Sequence, residues 1–336
     1  MKAFQIQNTF GLDSLNLVDL PDPRPGPGQA LVRVRAASLN FRDLLTVKGL
    51  YNPRMPLPRI PLSDGAGEVV ATGAGVTRVK PGDRVAGIFM QTWLGGRPTA
   101  AMTESALGGA IDGMLAEQVV LHEDGLVHIP AHLSYEEAST LPCAAVTAWN
   151  ALFGEGRLQA SQTVLVQGTG GVSIFALQFA RMAGARVIAI SSSDEKLARA
   201  RALGAGEGIN YRTTPDWEKK VWQLTGREGV DHIIEVGGAG TINKSLQCLR
   251  VGGTISMIGV LAGGSAEVRT VLMLHKYARV QGIYVGSREM FEDMNRAIAG
   301  HALRPVVDRV FPFAEAREAL RHMESAAHFG KIVLSF

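Results

Sequence analysis

Thr163-Val-Leu-Val-Gln167, Gly168-Thr-Gly170-Gly171-Val172-Ser173 and, after an apolar-periodic run to Gly184, Val187-Ile-Ala-Ile-Ser191 decide the reading of this chain. The opening run is apolar and β-branched, the pattern of a strand buried in a parallel sheet. Val172, Phe175, Ala176, Phe179 and Ala183 then fall on one face of a helix, and Gly184 suits the position just past its end. A second strand follows, so the stretch is a βαβ unit with glycines at its first turn. Glycines there let the backbone bend tightly and let a pyrophosphate approach without a Cβ in the way. The helix start adds free N–H groups and the positive end of a dipole. A Gly-x-Gly-x-x-Gly pattern alone says little, and Ser173 stands at its third place. The strand before it and the helix and strand after it turn the pattern into an expected dinucleotide site. Gly168, Gly170, Gly171 and Val172 are its first candidate contacts.

Toward the C-terminus strands and helices go on alternating. Strands are expected at Thr163–Gln167, Val187–Ser191, Gly208–Tyr211, Asp231–Val236, Gly253–Ile258 and Val280–Val285. Between them lie a helix from Asp194 to Leu203, one opened by Thr214-Pro215, and one marked by Ile242, Leu246 and Leu249. Strands joined by such crossovers fit two βαβαβ halves and a doubly wound parallel sheet. The last helix and strand, Glu315 to Glu324 and Lys331 to Phe336, are expected to return to the first domain.

Toward the N-terminus the texture is β-rich up to about residue 125. Pro21, Pro23, Pro25 and Pro27 form an irregular loop. Val32, Val34 and Ala36 alternate with Arg33 and Arg35 as a strand with one wet face. Asn40 to Val47 reads as a short helix, Gly65 to Gly73 as a strand, and Gln91 to Gly113 as a polar loop. Ser134-Tyr-Glu-Glu137 has the N-cap and acidic third residue of a capping box, and Pro142-Cys143 interrupts the helix it starts. The reading gives an α/β protein with three parts: a β-rich domain at 1–125, a dinucleotide-binding domain at 126–286, and a segment at 287–336 returning to the first.

Composition bounds the function. In 336 residues, 46% are hydrophobic and 19% charged, which marks a folded globular chain. A net charge of +3 without blocks of like charge argues against nucleic acid or a membrane surface as partner. Two cysteines, Cys143 and Cys248, make neither a disulfide framework nor a thiolate metal cluster. The N-terminus does not read as a signal peptide, and no apolar run is long enough to span a bilayer, so a cytoplasmic protein is expected.

Gly65-Ala-Gly67, Val79-Lys-Pro-Gly-Asp-Arg-Val85, Leu141-Pro-Cys-Ala-Ala-Val-Thr-Ala-Trp149, the glycine turn and Gly330-Lys-Ile-Val-Leu334 carry a resemblance over nearly the whole chain. It resembles the medium-chain dehydrogenase/reductase superfamily, and within it the zinc-independent, quinone oxidoreductase-like branch. The resemblance implies a GroES-like β-rich catalytic domain, a Rossmann domain, a nicotinamide bound in the cleft between them, and a homodimer joined through the cofactor domain. It also implies where zinc relatives hold their metal: a Cys after the first long strand, a His in Gly-His-Glu, and a later Cys or Asp. Here Asn40, Ser63 and Cys143 stand at those places. An amide and a hydroxyl are poor zinc ligands, and one thiolate is too few for an ion that takes three protein ligands and a water. No catalytic metal is expected. Cys143 is read as a small buried hydrophobe.

For the cofactor, an NAD-preferring fold ends its second strand on Asp or Glu. Ser191 and Ser192 stand there instead, Lys196 follows one turn into the next helix, and Tyr211 matches a tyrosine that helps hold a 2′-phosphate in relatives. NADP(H) is therefore expected, although the same serines suit an N-cap and Lys196 a solvated helix face. By resemblance Lys331 reaches the cofactor phosphates, with an exposed edge-strand lysine as the plainer alternative. Thr147, Gly237, Val260 and Val285 are candidate contacts to the nicotinamide side. The expected activity is hydride transfer to a quinone or an α,β-unsaturated carbonyl. Asn40 is the first candidate to line the acceptor site, with Asp43, Tyr51 and Arg42 behind it. The competing readings are an alcohol dehydrogenase without catalytic zinc and a non-enzymatic protein, which the intact glycine turn argues against.

Overall fold

The computed structural model describes residues 1–336, and the chain divides into two compact units, Met1–Val146 with Gly286–Phe336, and Thr147–Val285. In chain order the first unit opens with strands β1 (Lys2–Ile6), β2 (Leu15–Asp19) and β3 (Gln29–Ser38), helix α1 (Phe41–Val47), strands β4 (Asp64–Thr72) and β5 (Arg84–Gly87), and a one-turn helix α2 (Ala100–Thr103). Strands β6 (Gln118–His122) and β7 (Leu126–His128) and helix α3 (Tyr135–Ser139) follow. A wide π turn over Leu141–Ala145 then leads to α4 (Val146–Trp149). Helix α3 thus ends at Ser139, and Pro142-Cys143 lie in the wider turn that follows, a form frequent at functional sites. The first unit extends past the expected boundary at 125 because β7 pairs with β5 and α3 packs on β3 and β4. The segment 91–113, read as loop, contains α2 and buries Trp93 and Leu107.

The second unit holds β8 (Thr163–Gln167), α5 (Gly171–Met182), β9 (Arg186–Ser191), α6 (Asp194–Ala202), β10 (Glu207–Asn210) and α7 (Trp217–Leu224). It continues with β11 (Val230–Glu235), α8 (Ile242–Cys248), β12 (Leu249–Met257), α9 (Thr270–His275) and β13 (Arg279–Gly282). Its sheet is six-stranded in the order β10-β9-β8-β11-β12-β13, with every neighbouring pair parallel. This is the doubly wound order, in which the crossovers reverse direction beside β8 and leave a crevice at the carboxyl ends of the strands. Leu165, Ile188, Ile233 and Ile255 form the centre of its core. The last strand is shorter than read, so Val285 lies beyond its end rather than in it.

The chain re-enters the first unit through α10 (Arg288–Gly300), β14 (Val307–Pro312), α11 (Ala316–Glu324) and β15 (Lys331–Ser335). The larger sheet there has the order β14-β15-β3-β4-β5-β7, with β6 also on β3. Strand β15 is therefore internal, parallel to β14 and antiparallel to β3. That register puts the first residue of β15 near the end of β3, where Leu39 and Asn40 lead into α1. No helix of the chain is long and apolar enough to cross a membrane.

Candidate active site

In the second unit the glycine turn has the geometry its sequence implies. Gly168 takes φ +71°, where an L side chain is strained, and nothing lies within 4 Å of a Cβ built on Gly168 or Gly170. Space above the turn is what a phosphate needs. Ser173, at the place of the third glycine, donates its hydroxyl to the Gln167 carbonyl at 2.6 Å and ties the helix start back to β8. Val172 is half-buried beside it.

The other predicted cofactor residues stand at the carboxyl ends of the same sheet. Ser191 ends β9 opposite Asn210 of β10, is buried, and its carbonyl accepts from the N–H of Tyr211 at 3.0 Å. Tyr211 is 41% exposed, Ser192 is half-buried, and Lys196 lies in the first turn of α6 above the Ser193 N-cap. Gly237 follows β11, Val260 follows β12 and is exposed, and Thr147 is buried in α4. Val285 holds φ +63°, unusual for a β-branched residue, and its carbonyl accepts from Asn150 Nδ2 at 2.7 Å. Ser191 and not a carboxylate ends β9; Asp194 opens α6 three residues on, and its Oδ1 accepts from Asn210 Nδ2 at 3.0 Å.

Sequence reasoning missed Glu235, which organises this edge. It is fully buried at the end of β11. Its Oε1 accepts from the N–H groups of Gly237 and Gly238, both at 3.0 Å, and from the Thr241 hydroxyl. Its Oε2 accepts from Gln167 Nε2 at 2.7 Å and from the Ser245 hydroxyl. One carboxylate thus joins the end of β8 to the loop after β11. A lone acid closing an apolar strand just before two glycines was the available signal.

In the first unit the residues read at the vacated metal positions come together with a cation. Lys331 Nζ donates to Asn40 Oδ1 and to the Leu39 carbonyl, both at 2.6 Å, and lies 3.5 Å from Asp64 Oδ2. Asn40 Nδ2 donates to Ser63 Oγ at 3.4 Å, and Ser63 Oγ donates to Asp64 Oδ1 at 2.9 Å. Ser38 Oγ adds a bond to Asp64 Oδ2 at 3.1 Å. Lys331, Asn40, Ser63 and Asp64 thereby close a ring of side chains. Lys331 is 3% exposed, Asn40 9%, and Ser63 and Asp64 0%. Burial strengthens each bond and makes each missing partner expensive.

Lys331 corrects the plainer alternative: it is not an exposed edge lysine, being 3% exposed on an internal strand. Strand β15 is internal, and the ammonium is committed to two oxygens and an ion pair inside the first unit. Arg42 is held in place: its Nη1 donates to the Leu107 carbonyl at 2.6 Å, and its guanidinium lies over the rings of Phe89 and Tyr51. Tyr51 remains 43% exposed.

Asp43 is sealed. Its Oδ2 accepts the Asn40 N–H at 2.8 Å, fixing the start of α1, and its Oδ1 lies 3.5 Å from Arg42 Nη1 without a hydrogen bond. Burial pushes its pKa up to about 6, with Arg42 opposing and Asp64 adding to the rise. Just before Ser63, Leu62 holds φ +70°, and Gly108 and Gly113 pack on its backbone so closely that a Cβ on either would overlap it. Two glycines of the supposed loop therefore accommodate the bend that delivers Ser63.

These donors do not suit zinc. An amide and a hydroxyl are weak ligands for it. Cys143, half-buried rather than the buried hydrophobe its sequence suggests, is the one thiol at these positions, too few for an ion that takes three protein ligands. A lysine ammonium already brings a positive charge among them. No group of three or more His, Cys, Asp or Glu is placed to hold a metal ion.

Comparison with known proteins now identifies the family. Residues 26–131 match the alcohol dehydrogenase GroES-like domain and residues 171–300 the zinc-binding dehydrogenase family. A zinc-type alcohol dehydrogenase-like protein of Schizosaccharomyces pombe is 47% identical over 331 residues, covering 96% of each chain. The chain belongs to the medium-chain dehydrogenase/reductase superfamily. Its fold is the GroES-like domain plus Rossmann domain of that superfamily, and it is an NAD(P)H-dependent oxidoreductase. A putative alcohol dehydrogenase from Sinorhizobium meliloti 1021 superposes with a TM-score of 0.93 at 44% identity, covering 100% of this chain and 98% of that one. An acryloyl-coenzyme A reductase of Metallosphaera sedula is 30% identical over 94% of this chain and 95% of its own length. The structure of a 2-octenoyl-CoA carboxylase reductase in complex with NADP and 2-octenoyl-CoA matches at 27% identity and TM-score 0.88, over 99% of this chain and 87% of that one.

Proposed function

We propose that this superfamily member reduces an α,β-unsaturated carbonyl compound or a quinone with NADPH, without a catalytic metal. The observation that carries the reading is the buried ring of Lys331, Asn40, Ser63 and Asp64 at the positions where a metal-dependent relative needs thiolate and imidazole. An alcohol must become an alkoxide before it releases hydride near neutral pH, and a metal eases that step by lowering the pKa of a bound oxygen. An enone or quinone needs less help, because conjugation spreads the incoming charge and fixed hydrogen bonds can hold it. The acryloyl- and octenoyl-coenzyme A reductase relatives support this class of acceptor.

The turn Gly168–Val172 would take the pyrophosphate, with the free N–H groups of α5 facing it. Ser191, Ser192, Lys196 and Tyr211 would receive the 2′-phosphate, since a serine rather than an acid ends β9 and a lysine can pair with the phosphate. Thr147, Gly237, Val260 and Val285 would line the nicotinamide side. NADPH when bound supplies the hydride. The protein's part is to bind, orient and exclude water, and to hold charge on the acceptor oxygen by a hydrogen bond from Asn40 Nδ2. Asp43 supports that role by fixing the Asn40 backbone, and Tyr51 with Arg42 forms the neighbouring wall. A homodimer through the open edge of β13 and a cytoplasmic location complete the proposal.

The test is turnover on a panel of enones, acyl-CoA enoyl thioesters and quinones with NADPH, against oxidation of primary and secondary alcohols with NADP⁺. Faster alcohol oxidation would promote the alternative of a zinc-free alcohol dehydrogenase; the names of the Schizosaccharomyces and Sinorhizobium relatives speak for an alcohol dehydrogenase, the former for a zinc-type one.

A further inference from the structure

We propose that Lys331 is a positioning residue for the acceptor site: its buried ammonium fixes the Asn40 carboxamide with Nδ2 turned to the acceptor, and stands as a resident cation in place of a metal. The inference rests on the reading of Asn40 as the acceptor-side donor and adds the residue that makes it one.

An ammonium has three donors and no acceptor, so whichever end of the amide faces it must be oxygen. Lys331 Nζ at 2.6 Å from Asn40 Oδ1 therefore sets the flip of the carboxamide. The NH₂ group must then point away from the lysine. One of its hydrogens goes to Ser63 Oγ, a long bond at 3.4 Å. The second has no partner within the protein and is free to meet an oxygen that becomes negative.

The same ring explains the tolerance of a buried charge. Asp64 neutralises Lys331 and is itself held by two hydroxyls, from Ser38 and Ser63. The pair is nearly neutral seen from afar. Seen from Asn40 it is not, because the cation touches the amide oxygen directly, whereas Asp64 Oδ1 is reached through Ser63. An amide whose oxygen accepts from a cation is polarised, and its N–H groups become better donors. The ammonium thus acts on the acceptor through Asn40 and need not touch it. It also disfavours a divalent ion among these residues by direct repulsion.

The test compares kcat, KM for the enone or quinone, and the NADPH dissociation constant in four proteins: wild type, Asn40→Ala, Lys331→Met, and Lys331→Met with Asp64→Asn. Removing the lysine alone strands a buried carboxylate, which endangers folding. The paired change removes both charges, keeps the shapes, and is the decisive variant. The proposal expects kcat to fall by about a hundredfold in Asn40→Ala and by a similar factor in the paired variant, as when one fixed donor to a developing oxyanion is lost. NADPH affinity should stay within about twofold, because the cofactor residues are elsewhere and no binding energy there is removed. A paired variant with wild-type kcat, while Asn40→Ala is impaired, overturns the role of Lys331 and leaves that of Asn40 standing. A normal kcat in Asn40→Ala overturns the reading on which both rest. Equal losses of kcat and NADPH affinity in the paired variant would show a structural role only, and would also overturn it.

Discussion

Asp43→Asn probes whether the floor of the candidate acceptor site is as dry as its burial implies. Asp43 is fully buried, accepts the Asn40 N–H, and has its pKa raised from 3.8 to about 6. The rise of about 2 units corresponds to roughly 3 kcal/mol between the protonation states. The sign follows from where the proton sits. Below about pH 4 the carboxyl is protonated in both folded and unfolded chains, and the fold has its full stability. As the pH rises toward about 6 the unfolded chain has released its proton while the fold still holds one, so stability falls. Above that the loss is complete at roughly 3 kcal/mol. Asparagine keeps the acceptor for the Asn40 N–H and cannot titrate. Urea unfolding of both proteins from about pH 4 to about pH 7 gives the difference in stability at each pH, and other titrating groups cancel in it. Wild type should lose roughly 3 kcal/mol relative to the variant across that range. A difference that stays level would mean that Asp43 is ionised throughout and paired with Arg42, and that the site is wetter than described.

Lys196→Ala should narrow the preference for NADPH over NADH by about five- to thirtyfold, since a partly exposed charge-assisted bond to phosphate contributes about 1–2 kcal/mol; fluorescence titration with both cofactors checks it, and equal wild-type affinities would show Ser191 and Tyr211 misread. Glu235→Leu should destabilise the protein by about 3 kcal/mol or more, because two glycine N–H groups, an amide and two hydroxyls lose a buried acceptor; a thermal midpoint within a degree or so of wild type would contradict this. Strand β13 is at the sheet edge, and exposed Val280, Leu274 and Tyr277 lie on or beside it, so light scattering at micromolar concentration should give a dimer. A monomer mass would refute that assembly.

The dinucleotide half of the protein was legible because its determinants are local. Strand, glycine turn and helix are contiguous from Thr163 to Met182, and Ser191 is recognisable by the acid it replaces. Asn40, Ser63 and Cys143 were legible only by resemblance, as the places where ligands are missing. What fills the gap was not. Lys331 bonds to Asn40 across 291 positions of sequence, through a register of β15 between β14 and β3 that no local pattern encodes. Its neighbours Gly330 and Ile332 look the same whether the strand is internal or at an edge, and the side chain's fate turns on that difference. Asp64 likewise reads as an ordinary acid at a strand start until Ser38, Ser63 and Lys331 are seen to close around it. Glu235 differs, because a local pattern, the acid within Ile-Ile-Glu-Val-Gly-Gly, marks it although it was missed, and its carboxylate holds the N–H groups of Gly237 and Gly238.

The central claim is that hydrogen bonds from a charged ring do at Asn40 what a metal does in zinc-dependent relatives. The most direct measurement is the zinc content of freshly purified, active protein by elemental analysis, with NADPH-dependent turnover on an enone or quinone recorded before and after exhaustive chelation. The account predicts no stoichiometric zinc and unchanged turnover. One zinc per chain, removed by the chelator together with the activity and restored with it, would contradict it.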